Sequence, residues 1–142
     1  MTILAAYDSW DLGGQLHMLI CAAWTQALSP ADRAAQPLAR YVLSEGLLAS
    51  VSARRVDVPV SRIAWVCAMV ACGLAPRLRG LEPHPLLTGN AGAQLVRRDD
   101  GKGWRCNLKR NASGGPRLHY WVLPDGRIDF TAVGAHDELG RR

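Results

Sequence analysis

The sequence predicts an α+β fold, in which an N-terminal helical layer of three to four helices packs on a C-terminal antiparallel meander of three to four strands. Apolar residues recur at helical spacing through 1–74, whereas short alternating segments broken by Asp-Gly and Gly-Gly-Pro fill 93–136. A Pro- and Gly-rich connecting loop at 75–92 joins the two parts. The chain is long enough for one ordinary domain, so we expect 1–142 to form a single compact unit.

The first part contains the signals of successive helices. Over 12–28, apolar residues at positions i, i+4, i+7 and i+8 predict one core-facing stripe. Ser29 and Pro30 then have the chemistry of an N-cap and a first helical residue, which predicts a short helix over 30–35. We expect the next helix from about 37 to 54.

The last helix of this part is predicted to lie at the centre of the core. It is apolar on nearly all sides, has Ser61 as a candidate N-cap and ends at Gly73. The cysteines lie within apolar patterns and form no C-x-x-C pair, which favours buried free thiols over a metal site. They are Cys21, Cys67, Cys72 and Cys106. We expect neither a metal nor a cofactor.

The clearest element of the second part is a hairpin formed by Arg117–Leu123 and Arg127–Val133. Its turn is Pro124-Asp125-Gly126, in which proline presets φ, aspartate bonds to the backbone and glycine accepts positive φ. Side chains alternate across a sheet, so one face of the hairpin is apolar and is expected to pack on the helices. Its residues are Leu118, Tyr120, Val122, Ile128, Phe130 and Ala132.

The opposite side of the meander is polar, and we call it the outer face. A preceding strand at about 104–109 adds alternate residues to it. This predicted outer face holds most of the chemically useful side chains of the second part. It consists of Arg105, Asn107, Lys109, Arg117, His119, Trp121, Asp129 and Thr131.

The net charge of +5 lies entirely in the second part of the chain. Residues 1–74 contain five basic and five acidic side chains, whereas 75–142 contain twelve basic and seven acidic ones. Within 97–117 alone there are seven basic and two acidic residues. Such a patch suits a polyanion, of which nucleic acid is the commonest; a solvated basic hairpin is the alternative.

These residue types have the chemistry to cleave RNA through its own 2′-hydroxyl, a reaction that needs an acid, a base and cations on the phosphate. The catalytic candidates are His119, Lys109, Arg117 and His136. Asp129 on the adjacent strand would orient the His119 imidazole. The nucleic-acid-binding candidates are Arg105, Asn107, Arg110, Trp121, Arg97 and Arg98, with Trp121 as a base-stacking platform. His17 and His84 are assigned to structure.

The run GWRCNLKR…GGPRLHYWVLPDGRIDFTAVGAHDEL, over about 103–139, resembles the closing meander of RelE/ParE-type bacterial ribonuclease toxins. In that family a basic strand precedes a strand of the type R-hydrophobic-x-Y, a D-G turn, a final strand ending in V-G and a polar tail. The resemblance implies an RNA-cleaving, translation-inhibiting toxin, with Lys109, Arg117 and His136 at positions of matching type. The family usually opens with a β-strand and two helices, whereas this chain is predicted to open with helices throughout 1–74.

Three functions are compatible with these features. The first is a protein that acts on RNA. Its expected partners are RNA or DNA, together with an antitoxin or a homodimer mate. The second is a non-enzymatic DNA- or RNA-binding regulator, for which Val58–Leu81 would have to form a helix-turn-helix. The third is an interaction protein, such as an immunity, inhibitor or accessory subunit, because five tryptophans in 142 residues is a high number.

The sequence also predicts a cytoplasmic location. The N-terminus has no basic segment and reaches an acidic residue at Asp8, which argues against a signal peptide. Apolar runs such as 63–71 are far shorter than the ~20 residues of a membrane helix, so we expect no membrane partner.

Overall fold

The computed structural model describes the backbone of residues 2–88, 92–109 and 115–135, with side chains from residue 11 onward. Within these ranges the chain has an α+β fold of four α-helices and a five-stranded mixed sheet. The helices are α1 (Thr2–Ala27), α2 (Pro30–Ala35), α3 (Glu45–Ser52) and α4 (Val60–Ala71). The strands are β1 (Tyr41–Leu43), β2 (His84–Pro85), β3 (Lys102–Asn107), β4 (Arg117–Val122) and β5 (Ile128–Gly134).

The sheet has the strand order β1-β5-β4-β3-β2. β3, β4 and β5 form the antiparallel meander that the alternating pattern predicts, and β2 pairs antiparallel with β3. β1 adds to the other edge and runs parallel to β5. The helical part of the chain therefore contributes a strand to the sheet of the second part.

One hydrophobic core joins the helices to the sheet. α4 is buried on nearly all sides, as its predominantly apolar sequence predicts, and α1 packs along it with Leu16 and Ile20 fully buried. The sheet contributes an inner face that includes Leu118, Tyr120 and Phe130. Because the helices share their core with these side chains, the outer face lies on the other side of the sheet.

Local sequence signals define several ends of these elements. The Ser29 hydroxyl accepts a hydrogen bond at 3.2 Å from the backbone N–H three residues on, which caps α2. Gly73, with a φ of +81°, follows the C-cap of α4. In the hairpin turn, the Asp125 carboxylate accepts from the N–H of Arg127 at 3.0 Å, and Gly126 has a φ of +90°. These three predictions are confirmed.

The helix expected over 37–54 is wrong in its first half. That half contains β1, and α3 begins only at Glu45. The carbonyl of Arg40 before β1 and the N–H of Ser44 after it both bond to the backbone of β5, at 3.0 and 3.1 Å. These long-range bonds satisfy backbone groups that a helix would have satisfied locally, so no local pattern reveals them.

Two helix starts also differ from the prediction. α1 begins at Thr2 rather than near residue 12, since 2–11 contain no proline or glycine that would stop a helix. α4 begins at Val60, directly after Pro59, and has no side-chain cap. Ser61 therefore lies inside the helix, and its predicted role as the N-cap is wrong.

A β-bulge between His119 and Tyr120 shifts the register of β4 against β5. One extra residue of β5, Thr131, lies between the residues that pair with these two. Beyond it, Ala132 shares the outer face, while Val133 is 2% exposed and joins the core. The predicted inward position of Ala132 is wrong, because one inserted residue exchanges the two faces of a strand.

The connection predicted as a loop over 75–92 contains two short elements. A 3-10 turn occupies Ala75–Arg77, and β2 follows it. Because α4 leads into this turn instead of a second α-helix, Val58–Leu81 does not form the helix-turn-helix considered above. The segment instead runs to the sheet, where β2 places it beside β3.

Candidate functional site

The register of the strands defines the outer face, because residues directly opposite each other in an antiparallel pair lie on the same side of the sheet. Most of the side chains predicted for this face are found there, together with His84 of β2. The members are His84 on β2, Gly103, Arg105 and Asn107 on β3, Arg117, His119 and Trp121 on β4, and Asp129, Ala132 and Gly134 on β5. Lys109 follows β3 at the same end of the sheet as Arg117.

His119 lies in the middle of the outer face and is only 6% exposed. Its neighbours across the strands are Arg105 and Ala132. The centre of its ring is 5.4 Å from that of Trp121, and the two ring planes are inclined by 49°. The hydroxyl of Thr131 donates to its carbonyl at 3.2 Å across the bulge. The imidazole is therefore held between two strands and largely removed from water.

Asp129 does not orient the His119 imidazole, so that prediction is wrong. The Asp129 carboxylate accepts a hydrogen bond from the Arg97 guanidinium at 2.7 Å, and its cross-strand neighbour is Trp121. Arg97 comes from the segment that precedes β3, where its N–H donates to the Gly101 carbonyl at 2.8 Å. This loop brings the Arg97 guanidinium to the Asp129 carboxylate from a segment that is not a strand. The alternation of side chains along the strands therefore could not predict the contact.

Trp121 and Arg97 form a packed pair at one end of the outer face. The Arg97 guanidinium lies 5.3 Å from the centre of the Trp121 ring, and it also donates to the Asp99 carboxylate at 2.8 Å. Trp121 also lies so close to Gly103 that a Cβ there would come within 3.1 Å of its ring. Two of the predicted nucleic-acid-binding residues thus contact each other, whereas Arg98 beside them is exposed.

Two arginines lie diagonally across neighbouring strands towards the other end of the outer face, since Arg105 of β3 pairs with His119 and Arg117 of β4 pairs with Asn107. Arg117 is 8% exposed and donates to the Gly115 carbonyl at 2.7 Å. Burial, followed by the positive charge of Arg105, lowers the pKa of Arg117 below its usual value. Arg105 is half-buried, and among the described residues no ion pair involves it. The fold therefore brings two like charges together at a partly desolvated position.

Asn107 supports the chain beside this pair. It is 8% exposed, and its side-chain amide donates to the Gly80 carbonyl at 2.9 Å. The Glu82 carboxylate lies 3.5 Å from the same amide and offsets part of the charge around Arg117. Asn107 thus ties the segment that leads to β2 onto β3, while Lys109 is exposed just beyond β3.

Three further residues bear on the candidate site. Two are predicted site residues that lie outside the described ranges, and the third lies on the outer face although the sequence did not predict it there. Arg110 and His136 lie outside the described residues. His84, which was assigned to structure, lies on the outer face opposite Arg105 and is exposed, with its Nδ1 2.8 Å from the Pro85 carbonyl. The signal that would have found it is the proline on each side of it, because a residue before proline favours extended backbone.

Other classes of site are less well supported in the described ranges. There, no group of three or more His, Cys, Asp or Glu side chains could hold a metal ion. All four cysteines are free thiols, and burial raises the pKa of the Cys106 thiol to about 12, which keeps it protonated. Within the same ranges, no helix is long and apolar enough to cross a membrane.

Comparison with known proteins does not place the chain in a family. A scan against protein-family models finds no match, and searches of curated proteins and of solved structures find none. A candidate function therefore has to come from the chemistry of the outer face.

Proposed function

We propose that this protein binds RNA through its outer face, with Arg105, Arg117 and Lys109 as the residues that contact phosphate. The observation that carries the proposal is the strand register, which places Arg105 of β3 and Arg117 of β4 diagonally across neighbouring strands on the outer face. The positive charge of Arg105 lowers the pKa of Arg117, as expected of two like charges near each other. A phosphate between two guanidiniums converts this repulsion into attraction. It also accepts charge-assisted hydrogen bonds from both groups.

The charge balance of the chain favours a polyanion over a single small anion. The segment 97–117 has five more basic than acidic residues, since seven are basic and two acidic. Exposed Arg98 and Lys109 extend the positive charge along the sheet beyond the arginine pair. The resemblance to RelE/ParE-type toxins implies that the polyanion is RNA and that binding inhibits translation in the cytoplasm. It also implies an antitoxin-like protein as a partner.

The proposal is tested by the fluorescence anisotropy of a labelled single-stranded RNA of mixed sequence, titrated with protein at several salt concentrations. We expect the logarithm of the association constant to fall linearly as the logarithm of the salt concentration rises. Replacing Lys109 or Arg105 by alanine should reduce that slope by about 0.7 for each lost phosphate contact.

The matched control is Arg40→Ala, which removes an equally basic side chain from the other edge of the same sheet. Arg40 is 83% exposed, and the Asp125 carboxylate lies 3.8 Å away, so its removal should leave both fold and binding nearly unchanged. If Arg40→Ala and Arg105→Ala weaken RNA binding equally, the effect comes from the net charge of the protein and not from the outer face. Absence of binding at low salt would contradict the proposal.

A second candidate function, self-association, is favoured by the groove between α1 and α4. The groove has a volume of about 380 Å³ and is lined in part by Leu19, Ala22 and Trp65. Met18, next to Leu19, is 72% exposed. Over 12–28 there is no Asp, Glu, Lys or Arg, so the α1 side of the groove opposes no like charges when two copies meet, although each chain carries +5. On the α4 side, the Arg62 guanidinium lies 4.5 Å from the centre of the Trp65 ring. We propose a second copy of the chain as the occupant.

Sedimentation velocity over a wide range of protein concentrations tests self-association. We expect a dimer in the unmodified protein and a monomer in Met18→Lys, since the new charge would be buried between two apolar faces. The control is Val96→Lys, which changes another exposed apolar residue, 56% exposed, in the segment before β3. An unmodified chain that stays monomeric at every concentration would contradict this candidate.

A further inference from the structure

Three side chains with metal-binding donor atoms lie together where α1 passes the edge strand β1. His17 and Cys21 are four residues apart on α1, so they lie on the same face of the helix. Tyr41 is the first residue of β1. We call these residues the His-Cys-Tyr cluster. His17 is exposed, while Cys21 and Tyr41 are half-buried, so the cluster can be reached from solvent.

The three side chains meet at the Tyr41 hydroxyl. Its oxygen is 2.5 Å from Nδ1 of His17, and the centres of the two rings are 5.7 Å apart. The Cys21 thiol forms a hydrogen bond with the same hydroxyl. One nitrogen, one sulfur and one oxygen therefore converge on a small volume at the surface.

The fold holds the cluster in place from both sides. β1 pairs with β5, and the Tyr41 ring packs edge-on against Phe130, with 5.9 Å between the ring centres. On the helix side, Leu16 and Ile20 are fully buried, and each directly precedes a cluster member on α1. The donor atoms are thus carried by two elements that the core fixes relative to each other.

We propose that the His-Cys-Tyr cluster binds Zn²⁺. Imidazole nitrogen and thiolate sulfur are ligands that zinc prefers, and two ligands at i and i+4 of a helix can reach the same ion. The Tyr41 oxygen supplies a third ligand, and water completes the tetrahedron. As the ion binds, the Cys21 thiol loses its proton to solvent and a zinc–sulfur bond forms.

Tyrosine completes a donor set that His, Cys, Asp and Glu alone do not provide within the described ranges. Burial raises the pKa of Tyr41, so it enters the site as a neutral phenol and is the weakest of the three ligands. Ligand atoms about 2.1 Å from a tetrahedral zinc are about 3.4 Å from each other, so the His17 ring has to move outward from its present contact. Its exposed position gives it the room to do so.

A zinc ion at this position would cross-link α1 to the edge of the sheet. The unfolded chain does not hold the three donors together, since Tyr41 lies 24 positions after His17. Zinc should therefore bind the folded state in preference and raise the temperature of unfolding.

The experiment uses the full chain, freed of metal with a chelator and then titrated with Co²⁺, which reports on zinc sites by its absorbance. We expect a single Co²⁺ to bind with the charge-transfer band of a cobalt–thiolate bond, and added Zn²⁺ to displace it. Cys21→Ser should abolish the band. His17→Ala should weaken zinc binding by about 10-fold or more, and Tyr41→Phe by a smaller factor.

The matched controls are Cys72→Ala and His84→Ala, which remove a thiol after α4 and an imidazole on β2. Both variants should bind Co²⁺ as the unmodified protein does. Thermal unfolding without metal checks the fold of every variant, and added Zn²⁺ should raise the Tm of the unmodified protein but not that of Cys21→Ser. Absence of the band in the unmodified protein overturns the proposal, as does a band that survives Cys21→Ser or is lost equally in Cys72→Ala.

Discussion

The two faces of the sheet are built from the same strands, yet different forces stabilise them. On the inner face, Leu118, Tyr120 and Phe130 are at most 4% exposed and form part of the apolar core. On the outer face, Arg117 and His119 are buried almost as deeply, at 8% and 6%. Apolar groups need only be removed from water, whereas buried polar groups need hydrogen-bond partners. Deep burial in this sheet therefore does not by itself mark a residue of the apolar core.

The largest difference between the faces should appear when Phe130 is truncated to alanine. Phe130 is fully buried, and its ring centre lies 5.9 Å from that of Tyr41 and 6.0 Å from that of Tyr120. We expect Phe130→Ala to lower the free energy of unfolding by about 3–5 kcal/mol, since it removes apolar contacts and leaves a cavity. Urea unfolding followed by tryptophan fluorescence measures the loss.

The outer-face counterpart is Arg105→Ala. Arg105 is half-buried, and none of the ion pairs among the described residues involves it, so its removal should change the free energy of unfolding by no more than about 0.5 kcal/mol. A loss as large as that of Phe130→Ala would mean that the basic outer face stabilises the fold as the core does, and the contrast between the faces would fail.

An intermediate effect is expected where α3 meets the bulge that decides which residues of β5 face outward. A Cβ added to Gly46 would lie 2.8 Å from the backbone carbonyl of Thr131, which has little freedom to move. Gly46→Ala should therefore destabilise the protein by about 1–3 kcal/mol, although alanine normally favours a helix. Thermal and urea unfolding measure the change.

Gly14 provides the matched control for this substitution. It also lies in a helix, but no atom would come within 4 Å of an added Cβ. Gly14→Ala should raise the free energy of unfolding by up to about 1 kcal/mol. If both alanines stabilise the protein, then α3 does not approach the bulge as closely as the structure shows.

A smaller effect is expected from Arg97→Gln, which removes a cation that contacts the outer face. Its guanidinium is 2.7 Å from Asp129, whose side chain is 18% exposed, and it lies over the Trp121 ring. We expect a loss of about 1 kcal/mol in the free energy of unfolding, together with a change in tryptophan emission. Arg98→Gln, at the exposed neighbouring position, should change neither quantity.

The pH dependence of this variant follows from the neighbouring carboxylate. The hydrogen bond from Arg97 holds the pKa of Asp99 below its usual value. The stabilisation linked to Asp99 is therefore present above its ordinary unfolded pKa and is lost as the pH falls through the lowered folded pKa. The difference in stability between the unmodified protein and Arg97→Gln should accordingly narrow at acid pH, and a gap that widens there would contradict this assignment.

The smallest expected effect concerns thiol chemistry rather than stability. Cys67 and Cys106 are fully buried, and burial raises the pKa of both thiols, so the native protein should protect them from a disulfide reagent. Cys21 is half-buried and should react first. In an absorbance assay of thiol release, Cys21→Ala should abolish the first phase, whereas rapid reaction of all four thiols would show that the core opens readily.

Much of the fold could be predicted because its signals are local. The Ser29 cap, the Pro124-Asp125-Gly126 turn and the predominantly apolar α4 each depend on residues within a few positions of one another. The same holds for the alternation that divides β4 between an apolar and a polar face. β1 could not be predicted this way, because its three residues are a strand only by virtue of bonds to β5.

The candidate site was predictable in its residue types but not in its contacts. Alternation places Arg105, Arg117 and His119 on one face, and the register confirms this. It does not reveal that the Asp129 carboxylate forms an ion pair with Arg97, since the two residues are 32 positions apart in the sequence. Nor does it reveal the position of His84, whose strand is two residues long and too short to show any alternation.

The sequence by itself determined the α+β class, the helical and meander halves of the chain, the central hairpin and the location of the positive charge. These features follow from backbone preferences, from hydrophobic periodicity and from composition, all of which are properties of short segments. Only the tertiary structure decided the parallel strand at the edge, the bulge that moves Ala132 outward and the row that joins His84 to Arg105 and His119. Each of those depends on pairing between distant segments, whose register no short segment specifies.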